Sequence, residues 1–221
     1  KWQIMAKSQK SYQKVDPELL EGGKKLPLVE SFYSIQGEGH HSGKPAYFIR
    51  VGGCDIACHW CDSKVSWNAD LHPLVSVDEI VNQVLNTPAH SVVVTGGEPA
   101  MYPLNPLSTL IRTNNISSFL ESSGAYEITG QWDWTCISPK HNKHPLKQNL
   151  KRADELKIVI FSQSDFDFAE QWKKEVSADC KLLLQPEYSQ FKKMAPLMVE
   201  YVKAHPEWNI SLQSHKYLDI P

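Results

Sequence analysis

Short apolar runs alternate along the chain with segments whose apolar residues repeat at helical spacing. Runs rich in Val, Ile, Leu and aromatic residues, followed by turn residues, are typical of buried strands. Seven such runs are predicted strands, and they span residues 46–51, 91–95, 116–121, 135–138, 156–161, 181–184 and 208–212. Because the strands alternate with helical segments, the pattern predicts an α/β fold built on a parallel sheet.

Three of the intervening segments carry helix signals. The first follows a capping box, Ser76-Val-Asp-Glu79, in which the Ser and Glu side chains satisfy backbone N–H groups of the first turn. Apolar residues then lie on one helix face at Val77, Ile80, Val81, Val84 and Leu85. A second apolar face comprises Phe191, Met194, Leu197, Met198, Tyr201 and Val202. A weaker pattern predicts a helix over 164–176, with Ser164 as its N-cap.

Polar or glycine-containing motifs follow five of the strand runs. They are Thr95-Gly-Gly-Glu-Pro99, Glu121-Ser-Ser-Gly124, Ser138-Pro-Lys140, Gln185-Pro-Glu187 and Gln213-Ser-His-Lys216. Any one of them is most simply a turn. The carboxyl ends of parallel strands, however, lie on one side of a sheet or barrel, where ligand sites are built. Together the five motifs therefore predict one ligand site.

Length and composition fit a single ordinary domain, since the chain has 221 residues, of which 41% are hydrophobic and 22% are charged. Residues 1–25 are polar and rich in Lys, and we expect them to form an extension packed outside the core. Residues 26–221 are expected to form the single domain.

The charge and cysteine content restrict the function and the compartment. A formal net charge of −2 provides no basic stripe for a phosphate backbone, so nucleic-acid binding is disfavoured and a small-molecule substrate is favoured. No apolar run approaches the ~18 residues that span a bilayer, and the N-terminus lacks a signal-peptide core. We therefore expect a cytoplasmic protein without a membrane partner. Cys136 and Cys180 lie in apolar stretches and are expected to be buried thiols.

The remaining three cysteines lie within eight residues, Cys54-Asp-Ile-Ala-Cys58-His-Trp-Cys61. Thiolates at this spacing converge on one inorganic centre. Structural zinc sites and ordinary iron–sulfur carriers usually have four protein ligands, so three cysteines indicate a centre with an open coordination position. Two alternatives remain at this point, a chance cluster and a Cys3His zinc site completed by His59, His40 or His41.

The C-x3-C-x2-C spacing, with Trp60 before the last cysteine, resembles the signature of radical S-adenosylmethionine enzymes. In that superfamily three cysteines hold a 4Fe-4S cluster, and S-adenosylmethionine binds the fourth iron and is cleaved to a 5'-deoxyadenosyl radical. Thr95-Gly96-Gly97-Glu98-Pro99 resembles the superfamily motif that binds the methionyl part of the cofactor. The resemblance implies an abbreviated partial (β/α)6 barrel with parallel strands. Because the chain is short, we expect some of its helices to be missing or replaced.

Upstream of the cysteines lies the loop Gln36-Gly-Glu-Gly39, and Arg50 stands four residues before Cys54. With Cys61-Asp62-Ser63 and the strand-end motifs, the chain from about residue 26 to its end resembles the 7-carboxy-7-deazaguanine synthases. The resemblance implies a carbon–nitrogen lyase that converts 6-carboxy-5,6,7,8-tetrahydropterin to 7-carboxy-7-deazaguanine. This reaction is a ring contraction with loss of ammonia, on the route to queuosine and other 7-deazapurines.

The resemblance also implies roles for residues that match the family pattern. The substrate would contact Ile35, Gln36, Gly37, Glu38, Arg50, Thr95, His215 and the terminal carboxylate of Pro221. Arg50 suits the substrate carboxylate because a guanidinium forms paired hydrogen bonds with it. S-adenosylmethionine would contact Trp60, Cys61, Asp62, Gly96, Gly97, Glu98, Ser138, Pro139, Lys140, Gln185, Pro186, Glu187 and Tyr188. Structural roles are the alternative for Glu38, Arg50 and His215.

Magnesium and protein partners are implied in the same way. Ser63 occupies the position where the family binds Mg²⁺ through a hydroxyl oxygen, and many relatives have Thr there. The family is usually homodimeric and receives electrons from a donor such as flavodoxin or ferredoxin.

Two alternative functions remain open. A glycyl-radical activating enzyme has the same cysteine spacing but acts on a partner protein, whereas the Gln36 loop and Arg50 favour a small carboxylated substrate. A zinc-binding interaction module is the other alternative, which the metal content of the protein would decide.

Overall fold

The computed structural model describes residues 15–221, and within them the chain forms a sheet of nine strands. The strands are β1 (Lys25–Ile35), β2 (Pro45–Val51), β3 (Leu74–Ser76), β4 (Ser91–Gly96), β5 (Ser117–Ser122), β6 (Trp134–Ile137), β7 (Glu155–Ile160), β8 (Lys181–Pro186) and β9 (Trp208–Ile210). The helices are α1 (Val77–Leu85), α2 (Asn105–Thr113), α3 (Lys147–Leu150), α4 (Asp165–Lys173), α5 (Phe191–Ala204) and α6 (His215–Leu218). The strand order across the sheet is β3-β1-β2-β4-β5-β6-β7-β8-β9.

The seven predicted strands are confirmed as β2 and β4 to β9, and these seven pair with one another in parallel. The sheet stays open between its edge strands β3 and β9, as a partial barrel requires. The prediction of a parallel sheet missed β1 and β3, because β1 pairs antiparallel with both β2 and β3. β3 has only three residues, too few for an alternating pattern to be visible in the sequence.

The predicted helix signals are confirmed for α1 and α5 and partly wrong for α4. The hydroxyl of Ser76 accepts the N–H of Glu79 at 3.2 Å, which is the cap expected for α1. Ser164 makes no capping hydrogen bond at the start of α4. Instead the Asp165 carboxylate accepts the backbone N–H groups of Phe161 at 2.9 Å and Ser162 at 2.7 Å, so a carboxylate one residue later organises this turn.

Two crossover connections lack an ordinary helix, in agreement with the expectation for a short chain. Residues 123–133, which link β5 to β6, contain no helix. The connection from β6 to β7 contains only the four-residue helix α3. None of the helices in residues 15–221 is long and apolar enough to span a membrane.

The main core lies between the sheet and the helices, and its largest fully buried side chains include Leu26, Ile49, Leu120, Leu156 and Trp208. Cys136 and Cys180 are buried, as predicted.

The N-terminal segment departs from expectation. Val15 and Leu20 belong to the main core, and Leu20 lies in a 3₁₀ helix, Pro17–Gly23. The expectation that residues 1–25 pack outside the core is therefore wrong for these two positions, because their apolar side chains are stabilised by burial. Residues 1–14 lie outside the described part of the chain, and the domain boundary at residue 25 stays a prediction.

Candidate active site

A cavity of about 510 Å³ opens at the carboxyl ends of the parallel strands, where the five strand-end motifs were expected to meet. Most of the predicted site residues line it. They are Ile35, Gln36, Gly37, Glu38, Arg50, Cys54, Cys58, Trp60, Cys61, Asp62, Ser63, Thr95, Gly96, Gly97, Glu98, Ser138, Lys140, Gln185, Pro186, Glu187, His215 and Pro221. The tertiary structure thus brings together residues from every strand-end motif.

Pro139 and Tyr188 are the two predicted residues that do not line the cavity. The ring of Tyr188 is half exposed and contacts the edge of Tyr217, and the Lys216 ammonium lies 4.7 Å from its centroid. Pro139 is buried beside the cavity wall formed by its neighbours Ser138 and Lys140. Both residues are next in sequence to lining residues, and their contact with S-adenosylmethionine stays a prediction.

The cysteine loop begins directly after β2 and surrounds its sulfur atoms with hydrogen-bond donors. The Trp67 indole N–H donates to the Cys61 sulfur at 3.3 Å, and backbone N–H groups of Ile56 and Ala57 donate to Cys54. Burial nevertheless raises the pKa of the Cys54 thiol to about 11. N–H donors stabilise thiolate, whereas burial disfavours its charge, so this thiolate needs a bound cation. The loop therefore fits metal-bound sulfur.

The three cysteines do not form a site for a single ion. Within residues 15–221 no three His, Cys, Asp or Glu side chains come close enough together to hold one metal ion. The histidines of the zinc alternative pack on aromatic rings instead, His40 on Trp134, His41 on Phe119 and His59 against Phe161. In an iron–sulfur cluster each thiolate binds a different iron, so the sulfurs need not converge on one point. The spacing fits a cluster and gives no support to a Cys3His zinc site.

The Thr95-to-Pro99 turn lies against the backbone that precedes the first cysteine. In the β2–β4 pairing Val51 stands opposite Gly96, and Glu98 donates its N–H to the carbonyl of Gly53 at 2.8 Å. A Cβ at Gly97 would lie 2.3 Å from the same carbonyl oxygen, closer than any real contact. Only glycine therefore permits this approach, which places the turn beside the cysteine loop although many residues separate them in sequence.

The Glu98 side chain is buried and occupied by protein donors. Its carboxylate accepts the N–H of Ala100 at 3.0 Å, the Ser122 hydroxyl at 2.6 Å, and both the N–H (2.8 Å) and the hydroxyl of Ser123. These bonds join the end of β4 to the end of β5. They give the carboxylate a structural role, while its contact with S-adenosylmethionine stays a prediction.

Arg50 and Ser63 are neighbours on the cavity wall. The Arg50 Nε donates to Glu30 at 2.7 Å, and its Nη1 donates to the Ser63 hydroxyl at 3.3 Å. The Ser66 hydroxyl also lies 3.3 Å from that of Ser63. The ion pair with Glu30 is the structural alternative considered for Arg50, yet the guanidinium also lines the cavity beside the proposed magnesium ligand.

Two charged residues of the cavity wall, Lys157 and Glu121, had no individual role assigned from the sequence, although Glu121 begins one of the strand-end motifs. Lys157 donates to Glu38 and to Glu121, each at 2.9 Å, and Gln213 donates to the other oxygen of Glu38 at 2.8 Å. Burial opposes ionisation of Glu38, but Lys157 and Gln213 outweigh it and lower the pKa of Glu38 to about 2. Burial raises the pKa of Glu121, and Lys157 opposes that rise.

The sequence contained a signal for this pair. Glu121 follows Leu120 near the end of one apolar run, and Lys157 stands between Leu156 and Ile158 in another. A charged residue inside a buried strand is costly unless it is paired, so such a position indicates a partner within the fold.

The lysine after β6 is also turned inward. Lys140 donates to the carbonyl oxygen of Ser138 at 2.7 Å and to its hydroxyl at 2.6 Å, and its ammonium lies 5.6 Å from the ring centroid of Trp60. Burial lowers the pKa of Lys140. The Ser138 to Lys140 motif therefore faces the cysteine loop, where a cofactor bound at the cluster would lie.

The C-terminal segment closes the opposite wall of the cavity. Asp62 accepts hydrogen bonds from Gln213 at 3.2 Å and from Lys216 at 3.1 Å. His215 packs so closely on the Gln36 loop that a Cβ at Gly37 would lie 2.3 Å from its Nδ1. Burial lowers the pKa of His215. The cysteine loop and the Gln36 loop are thus both tied to the end of the chain.

Comparison with known proteins agrees with this arrangement. Residues 35–177 match a family of 4Fe-4S single cluster domains. A 7-carboxy-7-deazaguanine synthase of Flavobacterium psychrophilum is 49% identical over 91% of this chain and 96% of its own, and one of Synechocystis is 42% identical over 88% and 93%. The crystal structure of QueE from Escherichia coli superposes with a TM-score of 0.79 at 29% identity, covering 92% of this chain and all of that one. The chain belongs to the 7-carboxy-7-deazaguanine synthase family.

Proposed function

We propose that the protein converts 6-carboxy-5,6,7,8-tetrahydropterin to 7-carboxy-7-deazaguanine with loss of ammonia. The observation that carries the proposal is the single cavity that unites the three-cysteine loop, the arginine Arg50 and the carboxylates Glu38 and Glu121. Its volume of about 510 Å³ lies within the usual range for small-molecule sites, roughly 300–1,000 Å³. Both a pterin and the part of S-adenosylmethionine that faces it are ligands of this size class.

Cys54, Cys58 and Cys61 would hold the cluster. When bound, the reduced cluster and S-adenosylmethionine supply the 5'-deoxyadenosyl radical that starts the reaction. The indole N–H of Trp67 keeps the Cys61 sulfur oriented, and the Thr95-to-Pro99 turn lies next to the loop to receive the methionyl group. These residues bind and orient the cofactor and do not themselves enter the chemistry.

The charges on the cavity wall match the two ends of the proposed substrate. A pterin has an edge of neighbouring N–H donors on its pyrimidinone ring, and the carboxylates Glu38 and Glu121 are acceptors for such an edge. At the other end the substrate carries a carboxylate, for which the Arg50 guanidinium is a suited partner. Gln36 lines the same cavity, and its amide N–H donates to Glu121 at 3.5 Å.

A magnesium site at Ser63 is part of the proposal. The hydroxyl would provide one oxygen ligand, and the hard ion would take its other ligands from water and the substrate carboxylate. Since the hydroxyl accepts a hydrogen bond from Arg50, the ion would lie beside this guanidinium, where the substrate carboxylate could contact both.

The homodimer and an electron donor such as flavodoxin or ferredoxin stay predictions drawn from the resemblance, and the cytoplasmic location stays a prediction drawn from the sequence pattern. Activation of a partner protein is the competing radical reaction. The charged cavity supports a small carboxylated substrate instead, because the Arg50 guanidinium, a suited partner for a carboxylate, lines it together with the cysteine loop.

The test is an anaerobic reaction of the iron-reconstituted protein with S-adenosylmethionine, Mg²⁺, a strong reductant and 6-carboxytetrahydropterin, analysed by mass spectrometry. Appearance of 7-carboxy-7-deazaguanine is the expected result. Formation of 5'-deoxyadenosine without that product would retain the radical chemistry and reject the proposed substrate. One zinc per chain with no iron would reject both.

A further inference from the structure

Lys157 is a buried ammonium on the inner face of β7, between two carboxylates of the cavity wall. Its side chain is 6% exposed, and its nitrogen lies 2.9 Å from Glu38 and 2.9 Å from Glu121. Glu38 comes from the loop between β1 and β2, whereas Glu121 belongs to β5. The ammonium on β7 thus contacts Glu38, which is 119 positions away in the sequence, and Glu121, which is 36 positions away. It joins β7 to a loop and to another strand.

Without this ammonium the two carboxylates would be close neighbours of like charge in a cavity wall that is largely shielded from solvent. Like charges in such a place cannot both ionise readily, so one of them takes up a proton and becomes a donor. A protonated carboxyl presents an O–H where an N–H donor of a ligand needs an acceptor. The state of the pair therefore decides which ligand edge it recognises.

We propose that Lys157 is a positioning residue that keeps Glu38 and Glu121 together as ionised acceptors, and so makes the site selective for a ring edge with neighbouring N–H donors. Lys157 acts through the two carboxylates and is not itself a catalytic residue. The identity of the substrate, a pterin, rests on the proposed function. The ligand class follows from the acceptor pair itself.

Other charged and titratable groups also surround the triad. Facing Lys157 are Glu38 and Glu121, Glu155 of its own strand, Cys136 of β6, Lys140 after β6 and His215 beside the loop. The neighbouring strand β8 contributes the uncharged Leu183 opposite Lys157. Burial disfavours the ammonium, but the adjacent carboxylates raise the pKa of Lys157 well above its usual value. Lys157 therefore stays charged throughout the working pH range.

The experiment measures equilibrium binding of 6-carboxypterin, an unreactive oxidised analogue, to the cluster-loaded protein with S-adenosylmethionine between pH 6 and 7.5. A second probe is 6-carboxylumazine, which has a carbonyl oxygen where the pterin has its amino group. The variants are Lys157→Met, which keeps length and removes the charge, and Lys157→Arg, which keeps the charge. Lys192→Met, at an exposed position on α5, is the matched control.

The unaltered protein and the control are expected to prefer the pterin, with an affinity that hardly changes over this pH range. In Lys157→Met the pterin affinity should fall at least about tenfold at pH 6, which is the lower end of the effect of losing one hydrogen bond to a charged group. It should recover as pH rises, because the shared proton leaves the carboxylates. The preference over the lumazine should shrink at the same time, and Lys157→Arg should restore most of it.

Three outcomes would overturn the proposal. The first is unchanged affinity and preference in Lys157→Met. The second is an equal loss for both probes at every pH, which would show a merely structural role. The third is lost turnover with intact binding, which would place Lys157 in the chemical step.

A further variant keeps the proposal testable if Lys157→Met does not load the cluster. Lys157→Met combined with Glu121→Gln removes the repulsion together with the ammonium, so we expect it to fold and to lose the pH dependence; a pH dependence that persisted would overturn the proposal. Because the probe is unreactive, its binding tests the role of Lys157, whereas product formation tests the proposed reaction, and either one can fail without the other. A protein that prefers 6-carboxypterin but forms no 7-carboxy-7-deazaguanine would reject the proposed reaction and leave the role of Lys157 intact.

Discussion

Glu98→Gln tests whether the Thr95-to-Pro99 turn is held mainly by one buried carboxylate. Glu98 is 1% exposed, and its two oxygens accept four hydrogen bonds, from the N–H of Ala100, the hydroxyl of Ser122, and the N–H and hydroxyl of Ser123. Gln has the same shape but offers one oxygen and one NH₂ group. The substitution therefore changes acceptors and charge while volume is kept.

The expected loss of stability follows from the geometry. The Ser hydroxyls can rotate to accept from the new NH₂, but a backbone N–H cannot reverse. Since Ala100 N–H meets one oxygen and Ser123 N–H meets the other, either orientation of the amide leaves one buried backbone donor unsatisfied. A hydrogen bond to a charged acceptor contributes about 1.5–3 kcal/mol, so we expect a loss of about 2–3 kcal/mol. For a chain of this size that corresponds to a fall in Tm of about 4–12 °C.

The assay is thermal unfolding followed by circular dichroism on anaerobically reconstituted protein at one fixed scan rate. Glu127→Gln, at an exposed position between β5 and β6, is the matched control and should leave Tm within about 2 °C of the parent, since surface substitutions usually change stability by less than ~0.5 kcal/mol. A Glu98→Gln protein that melts with the control would show that the carboxylate is not what joins β4 to β5.

Three further predictions concern the site. Cys58→Ala should abolish 5'-deoxyadenosine formation, because two thiolates hold a cluster poorly, and normal formation by this variant would refute the cluster assignment. Arg50→Ala should raise the KM for the pterin far more than it lowers substrate-independent cofactor cleavage; an equal fall in both would make Arg50 structural. Because the folded pKa of Glu38 is about 2 against 4.5 ordinarily, its ion pair stabilises the fold above pH ~4.5 and loses that effect between pH 4.5 and 2. Urea midpoints should therefore fall more steeply with acid in the parent than in Glu38→Gln, and parallel curves would contradict the ion pair.

The positions of the strands could be expected from the sequence wherever the pattern was strong. Apolar runs such as 91–95 and 181–184 became β4 and β8, because residues buried on both faces of a parallel sheet leave a continuous apolar signature. The antiparallel pairing of β1 was missed because half of this 11-residue strand alternates between half-buried and exposed positions and leaves no continuous apolar run, and β3 was missed because it is short. A short edge strand is fixed by its neighbours and has no periodicity of its own.

Local chemistry determined the identity of the site. Two short motifs indicate the site before any fold is known. The spacing of Cys54, Cys58 and Cys61 indicates a cluster loop, and the neighbouring glycines Gly96 and Gly97 indicate a close approach of the backbone. The sequence also predicted that motifs at strand ends meet in one cavity, because parallel strands direct their carboxyl ends to one side.

Only the tertiary structure decided how the charges inside that cavity are paired. Lys157 meets Glu38 across 119 sequence positions, and Gln213 meets the same carboxylate across 175. It likewise showed that the Glu98 carboxylate accepts hydrogen bonds from Ser122 and Ser123 at the end of the next strand. Such contacts depend on strand order and on which face a side chain takes, and these are set by packing of the whole sheet, which no local pattern encodes.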